Sequence, residues 1–248
     1  MSVLDITVLT LFPDMFPVIL NHSLLGKAKE KGLWCLSVVD LRSYGIGPHL
    51  CIDDTAYGGG PGMVMRPDVV DRALADIAID KNNARFIYLS PKGQTLSQGI
   101  LQHISSQKDQ PLILLCGRYE GIDQRLLDAW HFEEISLGDF VLCGGELPAL
   151  ALIEGCVRLL DGVVHTKESL AEESFSMHLL EYPHYTRPSV WKGRAVPDIL
   201  LSGHHKKIAQ WRQDQAIELT KKRRPDLWKK YTKCDIQEGS DGIDVCST

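Results

Sequence analysis

Three loops rich in glycine and proline are the strongest candidates for ligand binding. Each follows a strand-like run of apolar residues, and they comprise Pro91–Gly93, Gly117–Gly121 and Ser136–Pro148. Glycine has no side chain, so it lets backbone N–H and C=O groups approach a ligand closely. Ligands of α/β proteins bind outside the carboxyl ends of the strands. We therefore predict that the three loops converge on one ligand if their strands are neighbours.

Two common nucleotide-binding signatures are missing from the sequence. No G-x-G-x-x-G run follows a strand, and the single Gly-Lys pair, Gly26-Lys27, has Asn21 where a P-loop requires glycine. Dinucleotide binding and P-loop phosphoryl transfer are therefore disfavoured. A ligand held by three separate loops is expected to be a compact, adenosine-type molecule without a pyrophosphate.

A fourth glycine-rich segment, Asp53–Met63, contains the run Tyr57-Gly58-Gly59-Gly60-Pro61-Gly62. It is too long and too rich in glycine for an ordinary turn. Spacing alone leaves two interpretations open. The segment is either a surface loop or a loop that lies against a flat partner, such as a base or an RNA backbone.

The charge of the chain is unevenly distributed. Residues 204–233 contain ten lysines and arginines but three acidic residues, a local charge of +7, whereas the whole chain carries −5 and the remainder therefore −12. A basic segment in an acidic protein is typical of contact with a phosphate backbone. A solvated helical face is the alternative interpretation.

The first 160 residues alternate between strand-like and helix-like runs. Strand-like runs lie near 4–11, 33–39, 85–90, 112–116 and 132–137, and helix-like runs lie near 14–30, 67–80 and 95–107. This alternation predicts an α/β fold, with a mostly parallel sheet and helices on both faces.

The later part of the chain changes character, which predicts four regions. The α/β domain covers 1–160, and a mobile linker with little periodicity covers 161–174. A small helical domain that contains the basic segment follows at 175–233. The tail, 234–248, is acidic and rich in small polar residues, so it is expected to be disordered.

Composition is typical of a cytoplasmic globular protein. Of 248 residues, 44% are hydrophobic and 24% are charged, which is ordinary for a domain with a real core. No run reaches the roughly 18 apolar residues of a membrane span, so no membrane association is expected. The seven cysteines include no C-x-x-C pair, which indicates reduced thiols and no metal site.

Five motifs carry a resemblance to a known family. They are Asp54–Met63 (DTAYGGGPGM), Leu89–Pro91 (LSP), Leu115–Asp123 (LCGRYEGID), Gly138–Pro148 (GDFVLCGGELP) and Pro183–Pro188 (PHYTRP). In order and in register over about residues 1–230, the sequence resembles the bacterial tRNA (guanine-N1)-methyltransferases. These enzymes belong to the SPOUT superfamily of knotted methyltransferases.

The resemblance implies an activity, a fold detail and partners. The activity is transfer of a methyl group from S-adenosylmethionine to N1 of the tRNA guanine just 3′ of the anticodon, position 37. The fold detail is a deep trefoil knot, which elementary topology alone would disfavour because chains essentially never thread their own loops. The implied partners are tRNA and a second copy of the chain, with active sites at the homodimer interface; no other protein partner is expected.

The resemblance also assigns two catalytic residues. Guanine N1 must lose its proton before it is methylated, so a general base is required. The family base is an aspartate before a Ser-Phe pair, and this sequence has Glu173 there, before Ser174-Phe175. Either the linker backbone compensates for the longer side chain, or another carboxylate such as Glu172 serves. Arg158 matches the arginine that stabilises negative charge developing on O6.

The implied donor-binding residues come from the three loops, and most of their contacts are expected from main-chain groups. Glu120 is a candidate for holding a charged end of the donor, and Phe140 stands where relatives carry tyrosine. The complete set is Tyr88, Leu89, Ser90, Pro91, Gly117, Tyr119, Glu120, Gly121, Leu137, Gly138, Asp139, Phe140, Val141, Leu142, Gly144, Gly145 and Pro148.

The implied substrate-binding residues lie in the glycine-rich segment and in the PHYTRP motif. They are Asp54, Tyr57, Gly59, His184 and Arg187. The family also implies a role for Mg²⁺, although the sequence contains no dedicated carboxylate cage for it.

Two other functions remain open at this point. One is a non-catalytic RNA-binding module on the same scaffold, which the missing aspartate favours. The other is a different SPOUT reaction, such as ribose 2′-O-methylation.

Overall fold

The computed structural model describes residues 3–77, 80–164 and 173–240, with the backbone alone for 234–240. The chain divides into two compact units, Met1–Val164 and His165–Thr248. The division falls within the predicted linker, of which residues 165–172 lie outside the described part. The last helix, Pro225–Ser240, passes the predicted tail boundary at 233, and 241–248 are not described. The remaining domain boundaries stay predictions.

A five-stranded parallel sheet forms the centre of the first unit. Its strands are β1 (Leu4–Thr10), β2 (Trp34–Asp40), β5 (Arg85–Thr95), β6 (Leu112–Cys116) and β7 (Glu133–Ser136). Their order across the sheet is β2-β1-β6-β5-β7. The five strand-like runs thus form one sheet, and the predicted parallel α/β fold is confirmed. Strand order and register do not trace a knot, which stays a prediction.

Helices cover both faces of this sheet, as predicted. They are α1 (Met15–Leu20), α2 (Ser23–Glu30), α3 (Pro67–Asp76), α4 (Gln98–Ser106), α5 (Gln124–Ala129) and α6 (Glu146–Arg158). On β6, Leu112 and Leu114 pack with α1, α2, α4 and α6, whereas Ile113 and Leu115 pack with α3 and α5. Burial on both faces explains why these strands are continuous apolar runs.

The predicted helix near 14–30 is wrong in one respect, because the chain breaks between α1 and α2. A side chain at Gly26 would collide with the carbonyl group of Asn21. Glycine at this position therefore lets α2 fold closely against the end of α1. Helix α5 was not predicted because its six residues are too few to show a clear periodicity.

Strand β5 extends to Thr95, beyond the predicted end at 90. Its partner on β7 is Ile135 both at Leu89 and at Gln94, so the segment between them, Ser90–Gly93, bulges out of the sheet. Gly93 lies against the backbone of Glu134, where no side chain would fit. The first predicted ligand loop is therefore a bulge held at both ends by β7.

A small antiparallel hairpin flanks the glycine-rich segment. Its strands are β3 (Asp53–Thr55) and β4 (Met63–Met65). The N–H of Glu120 donates to the carbonyl oxygen of Met63 at 2.9 Å, and the N–H of Met65 donates to that of Gly121 at 2.9 Å. These bonds attach the hairpin to the loop after β6, a link that sequence analysis did not predict.

The second unit is mainly helical in its described part. Its elements are the 3₁₀ helix Ser176–His178, strands β8 (Val190–Trp191) and β9 (Arg194–Ala195), and the helices Asp198–Leu201, His205–Arg223 and Pro225–Ser240. The N–H of Leu180 donates to Oγ1 of Thr220 at 2.8 Å. Thr220 is fully buried, so this bond ties the segment after the 3₁₀ helix to the longest helix.

Candidate active site

A cavity lies at the carboxyl ends of β5, β6 and β7, where the three glycine-rich and proline-rich loops converge. All of the predicted donor-binding residues line it except Gly138 and Asp139, which lie in the same loop but not in the cavity wall. The wall also contains residues that sequence analysis missed, including Lys92, Arg118, Gln124 and Cys143. Lys92, Arg118 and Cys143 lie inside the predicted loops, so loop membership was the available signal.

Two glycines allow the loops to approach each other. The N–H of Gly145 donates to the carbonyl oxygen of Gly117 at 3.0 Å. A Cβ atom at Gly145 would lie 2.8 Å from Cα of Cys116, and one at Gly117 would lie 2.7 Å from the ring of Tyr88. Side chains at these positions would push the loops apart, so the shape of the cavity depends on glycine.

A buried polar network joins the end of β1, the loop after β6 and the start of α6. Glu146, at the start of α6, is 2% exposed. Oγ1 of Thr10 donates to its Oε1 at 2.9 Å, and Nε of Arg118 lies 3.2 Å from its Oε2. Nη1 of Arg118 also donates to the carbonyl oxygen of Cys143 at 3.0 Å. The carboxylate of Glu146 is therefore paired and hydrogen-bonded, as a buried charge requires.

Tyr88 lines the cavity and stays protonated at neutral pH. Burial, with a contribution from the negative charge of Glu134, raises the pKa of the Tyr88 phenol to about 12. The phenolic oxygen lies beside Gly117 and Gly121. At neutral pH this residue therefore presents an uncharged O–H group and an aromatic ring to the cavity.

A second groove lies beside the β3–β4 hairpin and contains two of the predicted substrate-binding residues. Asp54 and Tyr57 line it, and Ile122 and Gln124 line both this groove and the main cavity. The side chain of Tyr57 is 97% exposed. Asp54 is 3.3 Å from Nη1 of Arg66. The groove thus lies next to the main cavity, with which it shares two wall residues.

Gly59 lies in the loop between β3 and β4, outside the groove wall. Its backbone has φ +78°, a left-handed conformation that glycine adopts without steric cost. The backbone conformation at this position therefore favours glycine, whether or not the loop binds a partner.

Arg158 ends α6 at the opposite end from the cavity. It follows Glu146 by twelve residues in one continuous helix, which corresponds to about 18 Å along the helix axis. An arginine side chain is too short to span that distance. The structure therefore does not bring Arg158 to the cavity of its own chain.

Glu173, His184 and Arg187 belong to the second unit. Glu173 is half-buried in a groove that Tyr182 and Arg212 also line. His184 is exposed, with Nε2 2.9 Å from Oε1 of Glu181, and Arg187 is also exposed. The glutamate lies in a groove of mixed polar and apolar side chains, whereas the other two side chains face solvent.

Comparison with known proteins identifies the family. The family described as tRNA (Guanine-1)-methyltransferase TrmD matches residues 4–230 of this chain. The chain belongs to this family. Similar proteins named tRNA (guanine-N(1)-)-methyltransferase come from Rhodospirillum rubrum, Ruegeria sp. and Ehrlichia canis, with identities of 53%, 53% and 49%. Each match covers 90% of this chain. It covers 92%, 91% and 95% of the length of the three relatives, in the same order.

Membership of the tRNA (guanine-1)-methyltransferase family confirms the resemblance that the five motifs indicated. All five lie within the matched range, as do all residues of the main cavity. Among the described residues, no group of three or more His, Cys, Asp or Glu side chains is arranged to hold a metal ion. No helix in the described ranges is long and apolar enough to cross a membrane.

Proposed function

We propose that this protein transfers a methyl group from S-adenosylmethionine to N1 of guanine 37 in tRNA, the nucleotide 3′ of the anticodon. The observation that carries the proposal is the family match over residues 4–230, which includes every residue of the main cavity. The bulge Ser90–Gly93 and the loops after β6 and β7 supply the backbone groups expected of a site for a compact adenosine-type donor.

The chemistry of the cavity fits S-adenosylmethionine. Glycines hold main-chain groups close to the ligand, and Tyr88 offers a neutral ring for an adenine to pack against. Glu120 supplies a carboxylate for the α-ammonium group of the donor's methionine part. When bound, the donor supplies a methyl group on a positively charged sulfur.

In the proposed reaction, the chain moves one proton and stabilises one negative charge. Guanine N1 loses its proton to the carboxylate of Glu173, the N1–methyl bond forms, and the methyl–sulfur bond breaks. Arg158 stabilises the negative charge that spreads to O6 as the proton leaves. Glu172, outside the described residues, is the alternative base.

Two observations support a homodimer with shared active sites. Arg158 lies about 18 Å from the cavity end of α6, so it reaches a donor cavity only if that cavity belongs to a second copy. Exposed apolar side chains also lie at the cavity and on a helix that packs against α6. Val141, which is 83% exposed, and Phe140 lie in the cavity wall, and Val18 and Ile19 lie on α1, which packs against α6. Such a surface is typical of a protein interface.

The tRNA substrate has two candidate contact surfaces. The exposed Tyr57 and the glycines without side chains suit the loop between β3 and β4 for close contact with the target nucleotide. His184 and Arg187 are candidates for holding the target nucleotide, and the basic helices of the second unit supply cations for the phosphate backbone. We include Mg²⁺ only as an ion that binds together with the substrates. The proposed location of the protein is the cytoplasm, because tRNA is modified there.

The proposal is tested by methyl transfer from labelled S-adenosylmethionine to a tRNA transcript with guanine at position 37. We expect 1-methylguanosine in the digested product, detected by mass spectrometry, and no transfer to a transcript with adenine at 37. A 2′-O-methylated nucleoside would indicate the alternative SPOUT reaction. Tight tRNA binding without any transfer would indicate a non-catalytic RNA-binding protein.

A further inference from the structure

The short hairpin of the second unit, β8 and β9, exposes an aromatic ring between cations. Trp191 is 55% exposed, and its neighbour Val190 is also exposed. Trp191 pairs directly with Arg194 across the two strands, so both side chains lie on the same face. Nζ of Lys192 lies 5.0 Å from the centroid of the Trp191 ring. One exposed ring is therefore flanked by two cations.

The sequence around this hairpin is purely cationic. Residues 186–196 contain Arg187, Lys192 and Arg194 and no acidic residue. The segment lies outside the basic region 204–233 that sequence analysis singled out. Lysine is depleted in protein–protein interfaces, whereas aromatic rings with flanking cations are typical of surfaces that bind single-stranded nucleic acid.

The turn itself gives no reason for a lysine. Lys192 and Gly193 form a two-residue turn with φ +49° and +75°, the geometry of a type I′ turn. Such turns favour asparagine or glycine at the first position because both adopt positive φ readily. The chain therefore places a charge at the hairpin tip where the backbone would favour another residue.

We propose that this hairpin is an RNA-binding element, in which Trp191 stacks on an unpaired base of the tRNA while Lys192 and Arg194 contact the adjacent phosphates. This inference rests on the proposed function, since it assumes a tRNA substrate. The hairpin would be a tRNA contact surface in addition to three others: the donor cavity, the substrate-binding residues expected from the sequence, and the basic helices.

The test measures tRNA affinity of the full-length protein with three substitutions at one position. Trp191→Ala should raise the tRNA Kd by roughly 5- to 150-fold, the range expected for loss of one stacked base. Trp191→Leu keeps an apolar side chain without an aromatic face and should behave like Trp191→Ala. Trp191→Phe keeps a smaller aromatic face and should retain most of the affinity.

The cations are tested through salt dependence. Lys192→Gln and Arg194→Gln should each lower the slope of log affinity against log salt by about one. Lys27→Gln and Lys31→Gln, at exposed positions of the first unit, remove the same charge and should leave the slope unchanged. Donor affinity, measured by calorimetry, should not change in any of these variants.

Two results would overturn the inference. Wild-type affinity in Trp191→Ala would show that no base stacks on this ring. Equal affinities of the Leu and Phe variants would show that Trp191 acts by apolar packing, as it would against a protein. A failure of the proposed function is distinguishable, because the wild-type protein would then bind or methylate no tRNA.

Discussion

Arg118 lines the cavity in the loop after β6 and forms an ion pair with Glu146 at the start of α6. Nε of Arg118 is 3.2 Å from Oε2 of Glu146, and Gly144 leaves no space for a side chain beside either group. Thr10, at the end of β1, donates to the same carboxylate. The pair therefore fixes the loop after β6 against the start of α6, and with it the shape of the donor cavity.

Removing this carboxylate should cost both stability and donor affinity. Glu146→Ala leaves the partly exposed Arg118 and the buried Thr10 without their partner, so the free energy of unfolding should fall by about 3 kcal/mol. Urea denaturation measures this loss, and calorimetry should show weaker donor binding. Glu154→Gln changes an exposed residue of the same helix and should affect neither quantity. Unchanged donor affinity in Glu146→Ala would contradict a role in shaping the cavity.

Substitution of Gly145 should weaken donor binding more than substitution of Gly117. A Cβ atom at Gly145 meets the backbone of Cys116, which cannot move without shifting β6, whereas one at Gly117 meets the side chain of Tyr88. Calorimetry of Gly145→Ala and Gly117→Ala measures the difference. Gly99→Ala is the control, because that glycine has space for a methyl group. The reverse order of affinities would show that loop spacing is not controlled by these contacts.

The raised pKa of Tyr88 should be visible at alkaline pH. The folded protein holds the phenol proton to about pH 12, while the unfolded chain releases it near 10. The folded state thus binds more protons between these values, and the free energy of unfolding should fall as pH rises from about 10 to 12. Tyr88→Phe should show a smaller fall. Absorbance at 295 nm follows ionisation directly, and a Tyr88 signal with an ordinary midpoint would contradict burial as the cause.

The proposed base is tested by single-turnover kinetics. Glu173→Gln keeps size and hydrogen bonding but cannot accept the proton, so methyl transfer should slow by about 10²- to 10⁴-fold with donor and tRNA affinity nearly unchanged. Glu173→Asp should also slow the reaction if the chain has adapted to the longer side chain. Glu172→Gln is the control. A rate within a few-fold of wild type in Glu173→Gln would show that Glu173 is not the base and would favour Glu172.

Shared active sites predict complementation between two inactive variants. Gly145→Val disables the donor cavity and Arg158→Ala removes the arginine. In a mixed dimer, one site combines an intact cavity with the intact Arg158 of the other copy, so co-expression with two affinity tags should restore activity. Each variant alone should stay inactive. A mixed dimer without activity would show that Arg158 serves the cavity of its own chain, against the 18 Å estimate from the helix rise.

The sequence by itself determined the local elements and the position of the ligand loops. The five strand-like runs correspond to the five strands of the parallel sheet. Short apolar runs bounded by glycine or proline favour strands through local backbone preferences, which can be recognised in the sequence. The loops that begin at Pro91, Gly117 and Ser136 could be placed at strand ends without knowing the strand order. The convergence of these loops required β5, β6 and β7 to be neighbours, and the sheet order satisfied that condition.

Only the tertiary structure decided which distant residues meet. Thr10 and Glu146 are 136 residues apart, and no local pattern marks them as partners. Their contact depends on β1 ending beside the start of α6. The bonds from Met63 and Met65 to the loop after β6, and the separation of Arg158 from the cavity, have the same origin. Periodicity acts over one element, whereas these relationships arise from the order and direction in which elements pack.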